Sequence, residues 1–141
     1  GLTLQLHEIE KQVLAFAPDR VAVSGTVPDV RPYLQHAAAV VAPLRIARGI
    51  QNKILEAMAM ARPVIASTEC AAAVDAEKCT ELLTASSPAE YIAELGRVLD
   101  SAEAAVSIGQ AARQRVVEHY SWDAHLEAID RYLPSPEAFA Q

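Results

Sequence analysis

The sequence predicts an α/β fold in which a parallel sheet carries helices on both of its faces. Short apolar runs of the kind that form buried strands alternate with longer segments whose apolar residues recur at helical spacing. This alternation is typical of parallel sheets, because a helix crosses over between each strand and the next. Ligands of such sheets bind beyond the carboxyl ends of the strands, so we expect the functional residues in the segments that follow them.

Composition limits the classes of protein to consider. The 141 residues suffice for one domain with an apolar core, and a formal net charge of −6 argues against nucleic acid as the main partner. Cys70 and Cys79 lack the spacing of metal ligands, so we predict free thiols and no metal. No apolar run approaches the ~20 residues of a membrane span and no signal peptide is visible, which favours a cytoplasmic protein. The chain starts at Gly1 and not at Met, so we expect a fragment or excised domain.

The first part of the chain opens on two alternatives. Apolar residues at helical spacing favour a helix from Thr3 or His7 to residue 17, although the alternating leucines at the start would equally suit a strand. Residues 20–24 predict a buried strand that turns at the glycine behind it. A short helix is predicted over 30–36, in which Tyr33 and Leu34 pack inward.

The chain is organised around residues 42–67, in which a strand, a polar loop, a helix and a second strand follow one another. The apolar run at 37–42 predicts the first strand. Helical spacing begins at Ile54, and Pro63 ends the helix because its ring excludes the preceding helical turn. Residues 64–67 then predict the second buried strand.

The loop in this stretch combines positive charge with a glycine. Arg45, Arg48 and Lys53 surround Gly49 between the strand and the helix. Because the first amides of a helix are unpaired and carry partial positive charge, such a loop suits a phosphate. Glu56 lies one turn into the helix, where a carboxylate could accept hydrogen bonds from sugar hydroxyls. Equally, Glu56 is a surface residue and the arginines are solvated loop charges, and spacing alone does not separate these interpretations.

The next part of the chain is predicted to hold one strand and two helices. A short strand is predicted over 79–85, and Ser-Ser-Pro at 86–88 supplies a serine N-cap with a proline at the first helical position. A further helix is predicted over 101–120. The residues that we expect to face inward are Ile92, Leu95, Val98 and Leu99 in the first of these helices and Val106, Ala112, Val116 and Val117 in the second.

The chain closes with one more predicted helix and a tail. Ser121 is expected to cap a helix over 122–133, with Trp122 as a packing anchor. Two prolines end that helix, and residues 134–141 are predicted to be a loose tail.

Several motifs are similar to those of a known family. EAMA at 56–59, PVIAS at 63–67 and the aromatic-Ser-Trp sequence at 120–122 resemble the nucleotide-sugar-binding half of GT-B glycosyltransferases, in particular family 4 of the retaining enzymes. GIQNK at 49–53 looks like a bacterial sub-group linked to exopolysaccharide biosynthesis.

Three features depart from the family pattern. Arg48 stands where the family has the first Glu of a pair whose second member is Glu56. Alanines at 71–73 stand where the family places glycines, in a loop that faces the donor sugar. The opening strand of the family is degenerate or absent here, so residues 1–133 are predicted to be the donor-binding domain with or without its first strand.

The resemblance implies a Rossmann-like fold and a transferase that acts on a nucleotide diphosphate sugar. The chain would be the carboxyl-terminal half of a retaining hexosyltransferase that moves the sugar to a glycan or a lipid-linked acceptor. The acceptor site would lie in a missing amino-terminal domain, so we expect this chain alone to be inactive. No cofactor or metal is implied, and any peripheral association with the inner membrane face would come through the full-length enzyme.

The resemblance also implies roles for individual residues. Glu56 would hold the ribose, while Arg45, Arg48 and Lys53, with the amides around Gly49, would stabilise the departing diphosphate. Arg48 contacts phosphate, contacts a carboxylated sugar or faces solvent, and the sequence does not rank these. The loop that follows residue 24 lies against the nucleobase in the family, or else is a plain strand-to-helix turn. The remaining donor-binding residues are Gly25, Thr26, Val27, Ile50, Gln51, Asn52, Ser67 and Thr68.

Two alternative functions belong to other classes. One is a binding or interaction module that keeps the fold and binds nucleotides without transferring a sugar. The other is half of a UDP-sugar epimerase, which would need acids and histidines around its cleft. A parent chain with an amino-terminal α/β domain of similar size would favour the transferase.

Overall fold

The computed structural model describes residues 19–44, 49, 51–74, 76–78, 80–122 and 126. The chain divides into two compact units, one that ends at Val30 and one that begins at Arg31. In the first unit the described residues form a turn at Asp19 and Arg20, followed by irregular chain with several bends. The helix predicted to end at residue 17 lies outside the described residues.

The strand predicted over 20–24 is wrong. None of these residues is in a strand, and all but the half-buried Val21 are exposed. A short apolar segment becomes a strand only when a neighbour pairs with its backbone and a core covers it. Residues 19–30 include no other strand that could do so.

The second unit contains the predicted parallel sheet. Its strands are β1 (Val40–Ala42), β2 (Val64–Ala66) and β3 (Leu83–Thr84), and they lie in the order β1-β2-β3. Both pairings are parallel, with Val41 opposite Ile65 and Ile65 opposite Leu83. The strands are shorter than the apolar runs that predicted them.

Five helices are described. They are α1 (Arg31–His36), α2 (Asn52–Ala59), α3 (Thr68–Val74), α4 (Pro88–Asp100) and α5 (Ala102–Tyr120). The helices predicted near Ile54, behind Ser87 and over 101–120 are confirmed.

Helix α3 replaces the loop that the family resemblance led us to expect. Ser67 caps it, because its hydroxyl accepts a hydrogen bond from the Cys70 amide at 3.3 Å. Alanine is the strongest helix former, so Ala71, Ala72 and Ala73 favour a helix where glycines would favour a loop.

The two faces of the sheet carry separate clusters of buried side chains. Val64 and Ala66 of β2 belong to one cluster, together with Ile54 and Met58 of α2. Ile65, between them on the strand, points to the other face and packs in a second cluster with residues of α4 and α5. All three β2 residues are fully buried, as the middle strand of a doubly covered sheet must be. The predicted arrangement of helices on both faces is therefore confirmed.

Helix α5 approaches the end of α2 very closely. A Cβ atom added at Gly109 would lie 2.2 Å from the carbonyl oxygen of Ala61, so only glycine permits this contact. Ala61 itself has a φ of 53°, in the left-handed region. One turn further along α5, the Arg113 guanidinium donates a hydrogen bond to the Ala59 carbonyl. The carboxyl end of α2 is thereby fixed on α5.

Several side chains predicted to face inward are exposed instead. In α4 the half-buried or buried stripe is Tyr91, Leu95 and Val98, and Ile92 and Leu99 lie about 100° around the helix from it. When a predicted apolar stripe also includes the sequence neighbours of the buried residues, it predicts burial for side chains that lie on the exposed side of the helix. The wrong predictions are Tyr33, Ile92, Leu99, Val106, Val117 and Trp122, the last of which is 83% exposed.

Candidate functional site

The segments that follow the three strands line one cavity of about 340 Å³. It lies where a parallel α/β sheet is expected to bind its ligand, and its volume falls in the range of small-molecule sites. In the described part of the chain the lining residues are Pro43 and Leu44 behind β1, Ser67 and Glu69 behind β2, and Ala85, Ser86, Ser87, Pro88 and Tyr91 behind β3.

Ser67 holds the wall of the cavity together. It is only 7% exposed, its amide donates to the Ala42 carbonyl at 3.2 Å, and its own carbonyl accepts from Ala71 at 3.0 Å. The next residue, Thr68, is exposed, and its hydroxyl lies 2.9 Å from that of Ser86. Ser67 thus connects β1 to α3, and Thr68 connects α3 to the loop behind β3.

Hydrogen bonds similar to a capping box fix that loop, with the Ser86 amide in place of the N-cap amide. The Ser87 hydroxyl accepts from the Glu90 amide at 3.3 Å and donates to the Glu90 carboxylate at 2.9 Å. The Ser86 amide donates to the same carboxylate at 2.8 Å. These bonds, the one from the Ser86 backbone above all, hold the pKa of Glu90 below its ordinary value. The serine N-cap predicted from the sequence is therefore confirmed at Ser87.

Tyr91 and Glu69 are cavity residues that the sequence analysis did not single out. The Tyr91 hydroxyl is buried and accepts or donates no hydrogen bond among the described residues. Burial raises the pKa of Tyr91, and the neighbouring Cys70 and Glu69 raise it further. Glu69, the second residue of α3, is exposed at the cavity. Both follow the carboxyl end of a strand, so the rule that located the loop behind β1 could have located them.

The residues predicted on α2 lie on its exposed side. Lys53 and Glu56 are exposed and three residues apart, which places them on neighbouring positions of the helix surface. Asn52 is exposed as well, while Gln51 is half-buried and donates weakly to the Gly49 carbonyl at 3.4 Å. None of these residues lines the cavity.

The other predicted site residues divide between three places. Gly49 is exposed and has a φ of 72°, a conformation in which glycine is favoured. Arg45, Arg48 and Ile50 lie outside the described residues. Gly25 and Thr26, both exposed, and the half-buried Val27 belong to the first unit. Of the predicted residues, Ser67 is the one that the structure places in the cavity wall.

The described part of the chain contains neither a cluster of metal ligands nor a membrane-spanning helix. No group of three or more His, Cys, Asp or Glu side chains there could hold a metal ion. No described helix combines the length and the apolar character needed to cross a membrane. The metal-free site and the cytoplasmic location stay predictions.

The fold and the cavity define a class: a Rossmann-like α/β domain with a partly polar cavity at the carboxyl ends of its strands. The family model described as "Glycosyl transferases group 1" matches residues 3–101, well over half of the sequence. The chain therefore belongs to the group 1 glycosyltransferases, and glycosyl transfer is its general role. No curated protein and no solved structure matches it.

Proposed function

We propose that this chain is the donor-binding half of a retaining glycosyltransferase that takes a sugar from a nucleotide diphosphate sugar. The acceptor would be a glycan or a lipid-linked sugar bound by another domain of the protein. The observation that carries the proposal is the cavity behind all three strands, in a chain that belongs to this family.

Lys53 supports a diphosphate site at the start of α2. It is exposed in the first helical turn, makes no hydrogen bond or ion pair with another described residue, and follows Gly49 in its left-handed conformation. The first amides of a helix add partial positive charge at the same end. Charge of this kind stabilises a departing diphosphate without a metal ion, and we assign Arg45 and Arg48 to the same task.

Glu56 supports a ribose site on the following turn. Its side chain is exposed and is not engaged by another described residue, so both carboxylate oxygens can accept hydrogen bonds. A ribose offers two vicinal hydroxyl donors. The sugar that is transferred would occupy the cavity, where hydroxyls and the Glu69 carboxylate lie beside the apolar faces of Pro43 and Leu44.

The test is a calorimetric titration with UDP, GDP, ADP and TDP and with the matching nucleosides. We expect one diphosphate to bind, and Lys53→Ala to weaken it about tenfold with little effect on the nucleoside, because only the diphosphate offers charge to the ammonium group. Lys78→Ala, which removes an exposed lysine elsewhere, is the matched control. Equal losses for diphosphate and nucleoside would remove Lys53 from the phosphate site.

The two alternative functions can be distinguished from glycosyl transfer by an activity assay and by the residues around the cavity. A nucleotide-binding module would bind a diphosphate yet show no transfer when the full-length protein is assayed with acceptor. An epimerase would need acids and histidines around the cavity, whereas Glu69 is the one acid and no histidine is present among its described lining residues.

A further inference from the structure

Glu69 is the charged side chain of the described cavity lining. The other eight lining residues are two prolines, a leucine, an alanine, three serines and a tyrosine, all uncharged. The Glu69 side chain is exposed and makes no hydrogen bond or ion pair with another described residue. No described side chain therefore neutralises its charge, which lies at the edge of the cavity.

A second carboxylate adds to the negative charge at this end of the sheet. Glu90 accepts hydrogen bonds from Ser86 and Ser87, both of which line the cavity. Because those bonds lower its pKa, Glu90 is ionised at neutral pH. A second negative side chain therefore lies behind two of the lining residues, although Glu90 does not itself line the cavity.

The amino ends of α3 and α4 cancel only part of this negative charge. A helix start carries about half a positive charge, which offsets only part of the full negative charge of an acid in the first turn. Glu90 occupies that position in α4 and Glu69 in α3. The hydroxyls of Ser87 and Ser67 already accept hydrogen bonds from the third amides of these two helices.

We propose that the cavity selects uncharged sugars and excludes sugars that carry a carboxylate, with Glu69 as the specificity-determining residue. This inference rests on the proposed function, since it assumes that the donor sugar enters the cavity. An uncharged sugar would donate hydroxyl hydrogen bonds to Glu69, whereas a uronic acid would place a like charge beside it. Of the three roles left open for Arg48, binding a carboxylated sugar is the one that this inference disfavours.

The experiment compares matched donors on the full-length protein. The pairs are UDP-glucose with UDP-glucuronate and GDP-mannose with GDP-mannuronate, each measured beside the bare diphosphate by calorimetry at low salt. We expect the uncharged donor to bind about tenfold more tightly than its uronate, which is the repulsion that two like charges a few ångströms apart produce at a partly solvated site.

Glu69→Gln keeps the shape of the side chain and removes its charge. We expect this variant to reduce the preference to about twofold while the bare diphosphate binds as before. Glu103→Gln is the matched control, because Glu103 is likewise the second residue of a helix but does not line the cavity. It should leave the tenfold preference intact.

The outcomes separate the two proposals. If UDP or GDP binds and the uronate binds as well as the uncharged donor, or if Glu69→Gln leaves the preference unchanged, the charge selection is refuted while the donor site stands. If no diphosphate binds, the proposed function fails and this inference fails with it.

Discussion

The start of α2 and the cavity behind the strands differ in how their side chains are held. Lys53 and Glu56 on α2 are exposed charges that make no hydrogen bond or ion pair with another described residue. Around the cavity, Ser67, Ser87 and Glu90 are each fixed by at least two hydrogen bonds. The sequence pattern thus identified exposed charges that a ligand could contact. The structure identified hydrogen-bonded residues that form or support the walls of a cavity. Substitutions of these exposed residues on α2 should therefore change ligand binding without changing stability. Substitutions at the cavity should change both.

The largest effect should come from the contact that fixes the end of α2. Gly109→Ala should lower the free energy of unfolding by about 3 kcal/mol, because its Cβ would meet the backbone of Ala61 and force α5 away. Urea denaturation measures this change. The matched control is Gly96→Ala in α4, where a Cβ would meet nothing within 4 Å. That variant should gain about 0.5–1 kcal/mol from helix propensity, and equal losses at both sites would contradict the assignment.

The next largest effect should be a change in ligand binding with stability unchanged. Glu56→Gln should weaken the binding of a ribonucleoside diphosphate about tenfold, since a charged acceptor of hydroxyl hydrogen bonds is lost. The thermal midpoint should stay nearly unchanged, because the side chain has no described partner in the protein. The same substitution should weaken the binding of a 2′-deoxynucleoside diphosphate less, because that ligand lacks one of the two hydroxyls. A large fall in thermal midpoint would instead show that Glu56 is structural.

At the cavity, stability and binding should change together. Ser87→Ala should lower the free energy of unfolding by about 1 kcal/mol, the usual value of an N-cap. It should also weaken the binding of the nucleotide sugar, because the loop that contains Ser86 and Pro88 loosens. Ser101→Ala removes the corresponding cap of α5, whose hydroxyl accepts from Ala104 at 3.2 Å. It should cost a similar amount and leave binding intact. Loss of binding in both variants would mean that general destabilisation is the cause.

The smallest effect is a pH dependence of stability. Because the folded pKa of Glu90 lies below its ordinary value of 4.5, its contribution is fully present above that value and is lost as the pH falls through the folded pKa. In Glu90→Gln the thermal midpoint should therefore fall less between pH 6 and pH 3 than in the unaltered protein. Glu94→Gln, on the same helix, serves as the control. An identical acid dependence in all three proteins would remove Glu90 from this role.

Local signals explain what the sequence could predict. The Ser-Pro start of α4 and the proline behind α2 act through the chain's own backbone, so they are legible without knowledge of neighbours. The parallel sheet follows from alternation alone. Residues 20–24 show the limit, because a short apolar segment needs a pairing partner that the sequence pattern does not specify.

The candidate site was only partly predictable for a related reason. Ser67 was found because it ends a strand inside a recognised motif. Tyr91 lies on a helical stripe beside Leu95 and Val98, and such a stripe predicts a core position equally well. Glu69 directly precedes the alanines for which a loop was expected, whereas all of these residues belong to α3. Which residues meet around a cavity depends on three separate loops, and no single stretch of sequence contains that information.

The hydrogen bond at the end of α5 has a consequence for communication within the protein. The Tyr120 hydroxyl donates to the carbonyl of Val74, the last residue of α3, at 2.6 Å. Helix α3 is short and carries Glu69 at its opposite end, so a displacement of one end tilts the other. The chain continues directly from Tyr120 into Ser121, and a movement that begins there would reach the cavity through α5, this hydrogen bond and α3. Tyr120→Phe would disconnect that route while leaving every cavity residue in place.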